Sequence, residues 1–276
     1  MSLWAWLKRR PDVRHLSQRH DVDGLKRALK YRVSDSDARH PDSVEVRSAA
    51  LRALVEIDAE AAVPELIETF RVDRHEKICQ EAWDALVTLR AERAIEHAHS
   101  YLSRTSFGAQ FDQIGGFRYR EKPLAVAVVR GLGVLRAPAS LPILIECLDS
   151  ATLGPPAADA MAAYGDSGAS LLIRKLTEHR DRKAASISFR FFINGVAALQ
   201  GTGSTLAIPC LVDLMCHFAR QFPIRGVPAV WNEAIANRCQ QALRSFGTSA
   251  QPAIAAMLRA EQNPHARRYL EGARQC

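Results

Sequence analysis

The sequence predicts an all-α chain: an α-α superhelix, or solenoid, of about six to seven helical hairpins stacked as a single domain over residues 1–276. Three observations predict it. First, an apolar motif recurs. A small residue and an aliphatic one are followed three positions on by a larger apolar residue and, after a turn, by a second apolar segment. Ala53-Leu54 with Ile57 leads into Val63-Pro64-Glu65-Leu66, Ala85-Leu86 with Leu89 into Ile95, and Gly131-Leu132 with Leu135 into Leu141-Pro142-Ile143-Leu144. Looser copies stand at Ala160-Met161 with Tyr164, Gly195-Val196 with Leu199 and Ala242-Leu243 with Phe246. Second, the pairs start at residues 53, 85, 131, 160, 195 and 242, and the shorter intervals of 32 and 29 residues suit one helix-turn-helix each. Third, proline returns at one offset in the second segments: Pro64, Pro142 and Pro252, with Pro209 less regular. In the first turn of a helix its missing N–H costs nothing.

Taken in order, residues 1–32 read as a basic N-terminal cap, with nine Lys/Arg against three Asp. A terminal repeat needs one polar face because nothing stacks on it. Leu3-Trp4-Ala5-Trp6-Leu7 precedes Lys8-Arg9-Arg10, the reverse of a secretory signal, so the chain reads as cytoplasmic, with Trp4 or Trp6 sealing the first repeat. Asp21 or Asp23 caps a helix through Leu25 and Leu29. The Ser/Asp-rich loop 33–43 breaks the pattern at Pro41. Asp42 or Ser43 then starts a helix through Ala49, Ala50, Ala53, Leu54 and Ile57, one stripe at spacings of three and four. Its partner runs from Val63 to Phe70 and carries Leu66, Ile67 and Phe70. Later pairs repeat the scheme.

The run Val46-Arg47, Ala50-Leu51, Ala53-Leu54, Ile57, then Ala62-Val63-Pro64 and Leu66, resembles the HEAT-like repeats of phycobilin lyases. The run Asp21-Val22-Asp23-Gly24-Leu25-Lys26-Arg27-Ala28-Leu29-Lys30 is similar to the opening cap of short members of that class. The resemblance covers most of residues 20–260 and implies the fold. Its members include scaffolds, lyase subunits and alkyl-base DNA glycosylases, so it implies no single function.

The rhythm breaks at three places. Insertions fall near 103–123, 180–190 and 217–230, each after a second helix and before the next first helix. In a solenoid that connection stays on one edge, so the three should gather on one rim. Eight of the ten Phe lie in or beside them, against the usual poverty of loops in aromatics. Aromatic and Arg side chains are the types enriched at binding hot spots, which makes Phe107, Phe111, Phe117, Arg118, Tyr119, Arg120, Arg190, Phe222, Arg225 and Trp231 the candidate partner-binding residues. The bland alternative is a satellite core in which the insertions bury their own rings.

Composition narrows the classes. No apolar run approaches the roughly 20 residues of a membrane span, so no transmembrane segment is expected. The net charge of +7 is unevenly placed: residues 42–100 hold seven Lys/Arg against thirteen Asp/Glu, while 174–190 hold six against two. A duplex-gripping protein would spread positive charge over many repeats, so nucleic acid is a weaker alternative to a protein partner. The six cysteines show no CxxC pair and no metal-type spacing, and read as buried thiols. There is no P-loop, GxSxG or HExxH. Gly201-Thr202-Gly203 reads as a turn. His97 and His99 point to different helix faces, so no metal is expected, and no cofactor is implied. Cys216-His217, Asp112, Asp159 and Glu233 are the residues from which a catalytic group would have to come, and no catalytic residue is assigned. The leading expectation is a non-enzymatic binding or scaffold protein that recognises a protein partner through a concave face or an aromatic-Arg loop rim. The alternative is an enzyme with a pocket under the insertions, either of the HEAT-like DNA glycosylase type or acting on a small molecule.

Overall fold

The computed structural model describes residues 10–33, 40–106, 123–181, 188–221 and 229–274. The described residues form HEAT-like helical hairpins and contain no strand. The helices are α1 Val13–Gln18, α2 Val22–Leu29, α3 Pro41–Ile57, α4 Ala59–Val72, α5 Glu76–Thr88, α6 Ile95–Ser106, α7 Pro123–Leu135, α8 Leu141–Cys147, α9 Gly154–Ala162, α10 Gly165–Arg180, α11 Phe189–Thr202, α12 Ala207–Arg220, α13 Ala229–Ser245, α14 Gln251–Ala260 and α15 Pro264–Arg274. Contacts divide the chain into two compact units, Met1–Thr105 with Lys122–Gly131, and Ser106–Glu121 with Leu132–Cys276.

In the first unit, capping sets the helix starts. Asp12 accepts from the His15 N–H at 3.0 Å, and Asp21, rather than Asp23, accepts from Gly24 at 2.8 Å. On α2, Leu25, Ala28 and Leu29 are buried while Arg27 and Lys30 stay in water, and Lys26 reaches Glu65 at 3.1 Å. The long helix α3 begins at Pro41, earlier than expected, because His40 caps it by accepting from the Asp42 N–H at 3.3 Å. The expected start of α4 also needs correcting. Asp58 accepts from Ala61 at 2.9 Å, so the helix begins at Ala59 and Pro64 lies inside it. Proline there removes one ladder bond, and the exposed position lets water take the freed carbonyl. Pro142 and Pro252 do sit in first turns, where that loss does not arise.

A buried ion pair ties α3 to the end of α4. Arg47 is fully buried, pairs through Nη1 with Asp73, and donates from Nε to the Ser43 carbonyl at 3.1 Å. The other Asp73 oxygen accepts from the His75 N–H at 2.8 Å, fixing the turn into α5. Trp83 fills the interior between α5 and α7. Its indole N–H donates to the Ala127 carbonyl at 3.0 Å, and Gly131 makes room for the ring, since a Cβ there would stand 2.4 Å from Nε1.

In the second unit, first helices pack on first helices, α9 on α11 and α11 on α13, and second helices on second helices, α10 on α12 and α12 on α14. The large members of the six anchor pairs (Leu54, Leu86, Leu132, Met161, Val196 and Leu243) are all buried. The Tyr164 hydroxyl donates into the end of α7, within 3.1 Å of the Leu132 and Ala137 carbonyls. Gly203, at φ +64°, ends α11 as a helix C-cap, while Gly201 and Thr202, expected in the turn, belong to the helix. The last described helix, α15, buries Ala266, Leu270 and Ala273 and leaves His265, Arg267, Arg268, Glu271 and Arg274 exposed.

Candidate functional site

In a stack of antiparallel hairpins, the ends of α10 and α12 and the starts of α11 and α13 share one edge of the second unit. The side chains there meet. Phe189, first residue of α11, stacks on Trp231 near the start of α13 with ring centroids 5.6 Å apart. Ser188 caps α11 by accepting from the Phe191 N–H at 3.3 Å, while its own hydroxyl donates to Asp149. That capping aims Phe189 and Arg190 outward. Phe191 and Phe192 turn inward, where Phe192 meets Phe218 edge-on at 4.9 Å.

Of the three arginines described on this edge, two are held in place. Arg180 pairs with Asp181 at 2.8 Å and with Asp213, and it holds the Asp181 carboxyl below the usual range. Arg220 grips Glu261 through Nε at 2.9 Å and Nη2 at 2.6 Å. Glu261 is nearly buried, and burial pushes its carboxyl up. The hydrogen bonds from Arg220 and from the Asn263 N–H outweigh that push and leave it below the ordinary value. His217 lies between these pairs, 2.8 Å from the Gln221 amide nitrogen, and burial, then the Arg180 charge, lowers its pKa. Arg190 is exposed and has no ion pair among the described residues.

The expected insertions are narrower than the sequence suggested. Arg180, His217, Phe218 and Arg220 belong to the last turns of helices, and Phe189 to Phe192 and Trp231 to first turns. Helical periodicity carries on through them, which is why Phe191, Phe192 and Phe218 join the core. Of the candidate binding residues, Arg190 and Trp231 are described, and both are exposed on this edge. Phe107, Phe111, Phe117, Arg118, Tyr119, Arg120, Phe222 and Arg225 lie outside the described residues, as do Asp112, Trp4, Trp6 and Cys276. Val230, 70% exposed, and Phe189 are contributors that sequence reading left off the candidate residues. Val230 stands next to Trp231 in sequence, and a pair of large apolar residues opening a helix was the available signal.

The residues weighed for catalysis scatter. Cys216 is buried, and burial, then the Glu261 charge, pushes its thiol up to about 11, so it is a protonated thiol at neutral pH. Asp159 and Glu233 are exposed on separate helices. Burial lowers the pKa of His99 on α6. Among the described residues no group of three or more His, Cys, Asp or Glu is placed to hold a metal ion, and no helix is long and apolar enough to cross a membrane. The five described cysteines are buried and form no disulfide among the described residues.

The family model described as PBS lyase HEAT-like repeat matches residues 46–71 and 124–150, so the chain carries repeats of that type. The solved structure of human deoxyhypusine hydroxylase in complex with glycerol is similar at 15% identity and a TM-score of 0.32, over 95% of this chain and 97% of that one. No curated protein matches the chain significantly in sequence.

Proposed function

We propose that the chain is a non-enzymatic binding or scaffold protein of the cytoplasm, working as one HEAT-like repeat domain that recognises a protein partner through its aromatic-arginine rim. The observation that carries this reading is the exposed Trp231. It is 44% open to water although it is stacked on Phe189, with Val230 open beside it and Arg190 at the start of the neighbouring helix. Tryptophan and arginine dominate interface hot spots, and a ring already held by a stacked neighbour loses little freedom on docking. Arg180 and Arg220 are engaged with carboxylates, which leaves Arg190 to take a charge from outside. The partner segment that fits is a peptide stretch with one large apolar anchor beside an Asp or Glu, and the net charge of +7 favours the approach of acidic chains.

The test is selection from a random peptide library displayed on phage, using the intact protein as bait. Enriched peptides should pair a large apolar residue with a carboxylate and should lose about tenfold or more in affinity, roughly 1.4 kcal/mol, in Trp231→Ala and in Arg190→Glu. Failure of any sequence to enrich, or full retention of binding by both variants, defeats the reading. Tight duplex binding with a steep salt dependence would point to nucleic acid instead.

A further inference from the structure

The first unit holds a second feature, independent of the rim. We propose that the groove along α3 and the start of α5 is an anion site that takes the phosphate group of a small organic ligand. The groove is open to solvent and offers about 360 Å³, within the range of roughly 300–1,000 Å³ common for small-molecule pockets. Pro41 and Val44 give it an apolar wall, and Ser48, Arg52, His75 and Lys77 bring polar groups to it.

The Ser48 hydroxyl is spent on Glu81 and Arg52, while the guanidinium, the imidazole and the ammonium have capacity to spare. Arg52 is aimed by its own helix: Nε donates to the Ser48 carbonyl at 3.3 Å and Nη2 to the Ser48 hydroxyl at 3.2 Å. Its Nη1 has no partner among the described residues. His75 is the N-cap residue of α5, yet its side chain makes no capping bond, and its Nδ1 is buried with no hydrogen-bond partner among the described residues. An orphaned buried ring nitrogen is rare in folded proteins, and a turn of the imidazole at the groove edge would let a ligand oxygen satisfy it. Lys77 is largely exposed, with Nζ 3.8 Å from Glu81, and its flexible stem lets the ammonium turn toward the groove. The acidic groups nearby are already engaged. Glu45 on the groove wall is paired with Arg10 at 2.7 Å, and Glu81 accepts from the Ser48 hydroxyl. A guanidinium fork, an ammonium and an imidazole approaching from two helices suit a tetrahedral group with several terminal oxygens. The Pro41–Val44 wall suits an apolar body attached to it.

The experiment titrates the full chain with phenyl phosphate, inorganic phosphate and benzoate, following amide chemical shifts by NMR and thermal stability in parallel. Phenyl phosphate should shift amides in 41–52 and 75–77 saturably at millimolar concentrations, more tightly than inorganic phosphate because of the apolar wall and more tightly than benzoate because of the extra oxygen. The Arg52→Ala/Lys77→Ala double variant removes exposed side chains only. It should keep its circular dichroism spectrum and lose at least tenfold in affinity, while Arg190→Glu on the rim should bind as the parent does. No saturable response to phenyl phosphate overturns the proposal. So does equal binding by the double variant, or benzoate binding as tightly as phenyl phosphate.

Discussion

Replacing Arg47 by methionine tests how the first unit is held together. The side chain is fully buried, its partner Asp73 is 5% exposed, and the pair joins α3 to the turn that follows α4. Methionine fills much of the same space but leaves one Asp73 oxygen in the interior without its cation and the Ser43 carbonyl without the Nε donor. Breaking a buried pair by removing one partner costs about 3–5 kcal/mol, most of it the stranded charge. At about 2–4 °C per kcal/mol for a chain of this size class, the melting temperature should fall by roughly 6–20 °C. Urea denaturation followed by circular dichroism reads the free energy. The double variant Arg47→Met/Asp73→Leu removes the stranded charge as well. It should recover most of the loss and fall short of the parent by about 1 kcal/mol, the cost of leaving the His75 N–H without its acceptor. A single variant that loses less than about 1 kcal/mol, or a double variant no better than the single, would refute the reasoning.

Gly131→Ala should destabilise the first unit by about 1–3 kcal/mol despite the better helix propensity of alanine, because the new methyl would stand 2.4 Å from Trp83 Nε1 and 2.6 Å from Val87 Cγ2. Denaturation midpoints and a red shift of tryptophan emission check it. Stability should also fall in acid, in two windows. His217 is lowered below its ordinary 6.5, so the unfolded chain binds its proton more readily; its contribution is full above that value and is lost as pH falls through the folded pKa. Glu261 is held below 4.5, so its contribution is present above that value and disappears as pH drops further. Urea midpoints measured from about pH 7.5 down to about pH 2.5 should show both declines, and His217→Gln should remove the upper one.

Local patterns were legible in the sequence, and contacts that span repeats were not. The anchor pairs gave away the hairpins because a helix stripe needs only spacings of three and four, and their large members are all core. Helix starts were harder: His40 and Asp58 cap one turn or less from where composition suggested, and Pro64, which looked like a first-turn proline, was absorbed inside α4. The Arg47–Asp73 pair leaves no local trace, since its partners are 26 residues apart and meet only once two helices have packed. At the edge of the second unit, aromatic content pointed to the right neighbourhood but could not separate Phe191, Phe192 and Phe218, which went inward, from Trp231, which did not. For Phe191 and Phe192 the division follows from where α11 begins, which Ser188 marks with one capping hydrogen bond. The groove beside α3 was invisible for a related reason: Arg52 and His75 converge through packing.

The glycines of the helix contacts carry a consequence for how such a chain can change. Gly131 is small where Trp83 is large, Gly195 yields to Leu176, and Gly154 lies against Asn194. At these three contacts one helix is cut to the shape of its neighbour, like a key filed for a single lock. Copying, deleting or reordering whole repeats would set these empty positions against the wrong side chains, so growth by duplication is closed to this array unless the seams are recut at the same time.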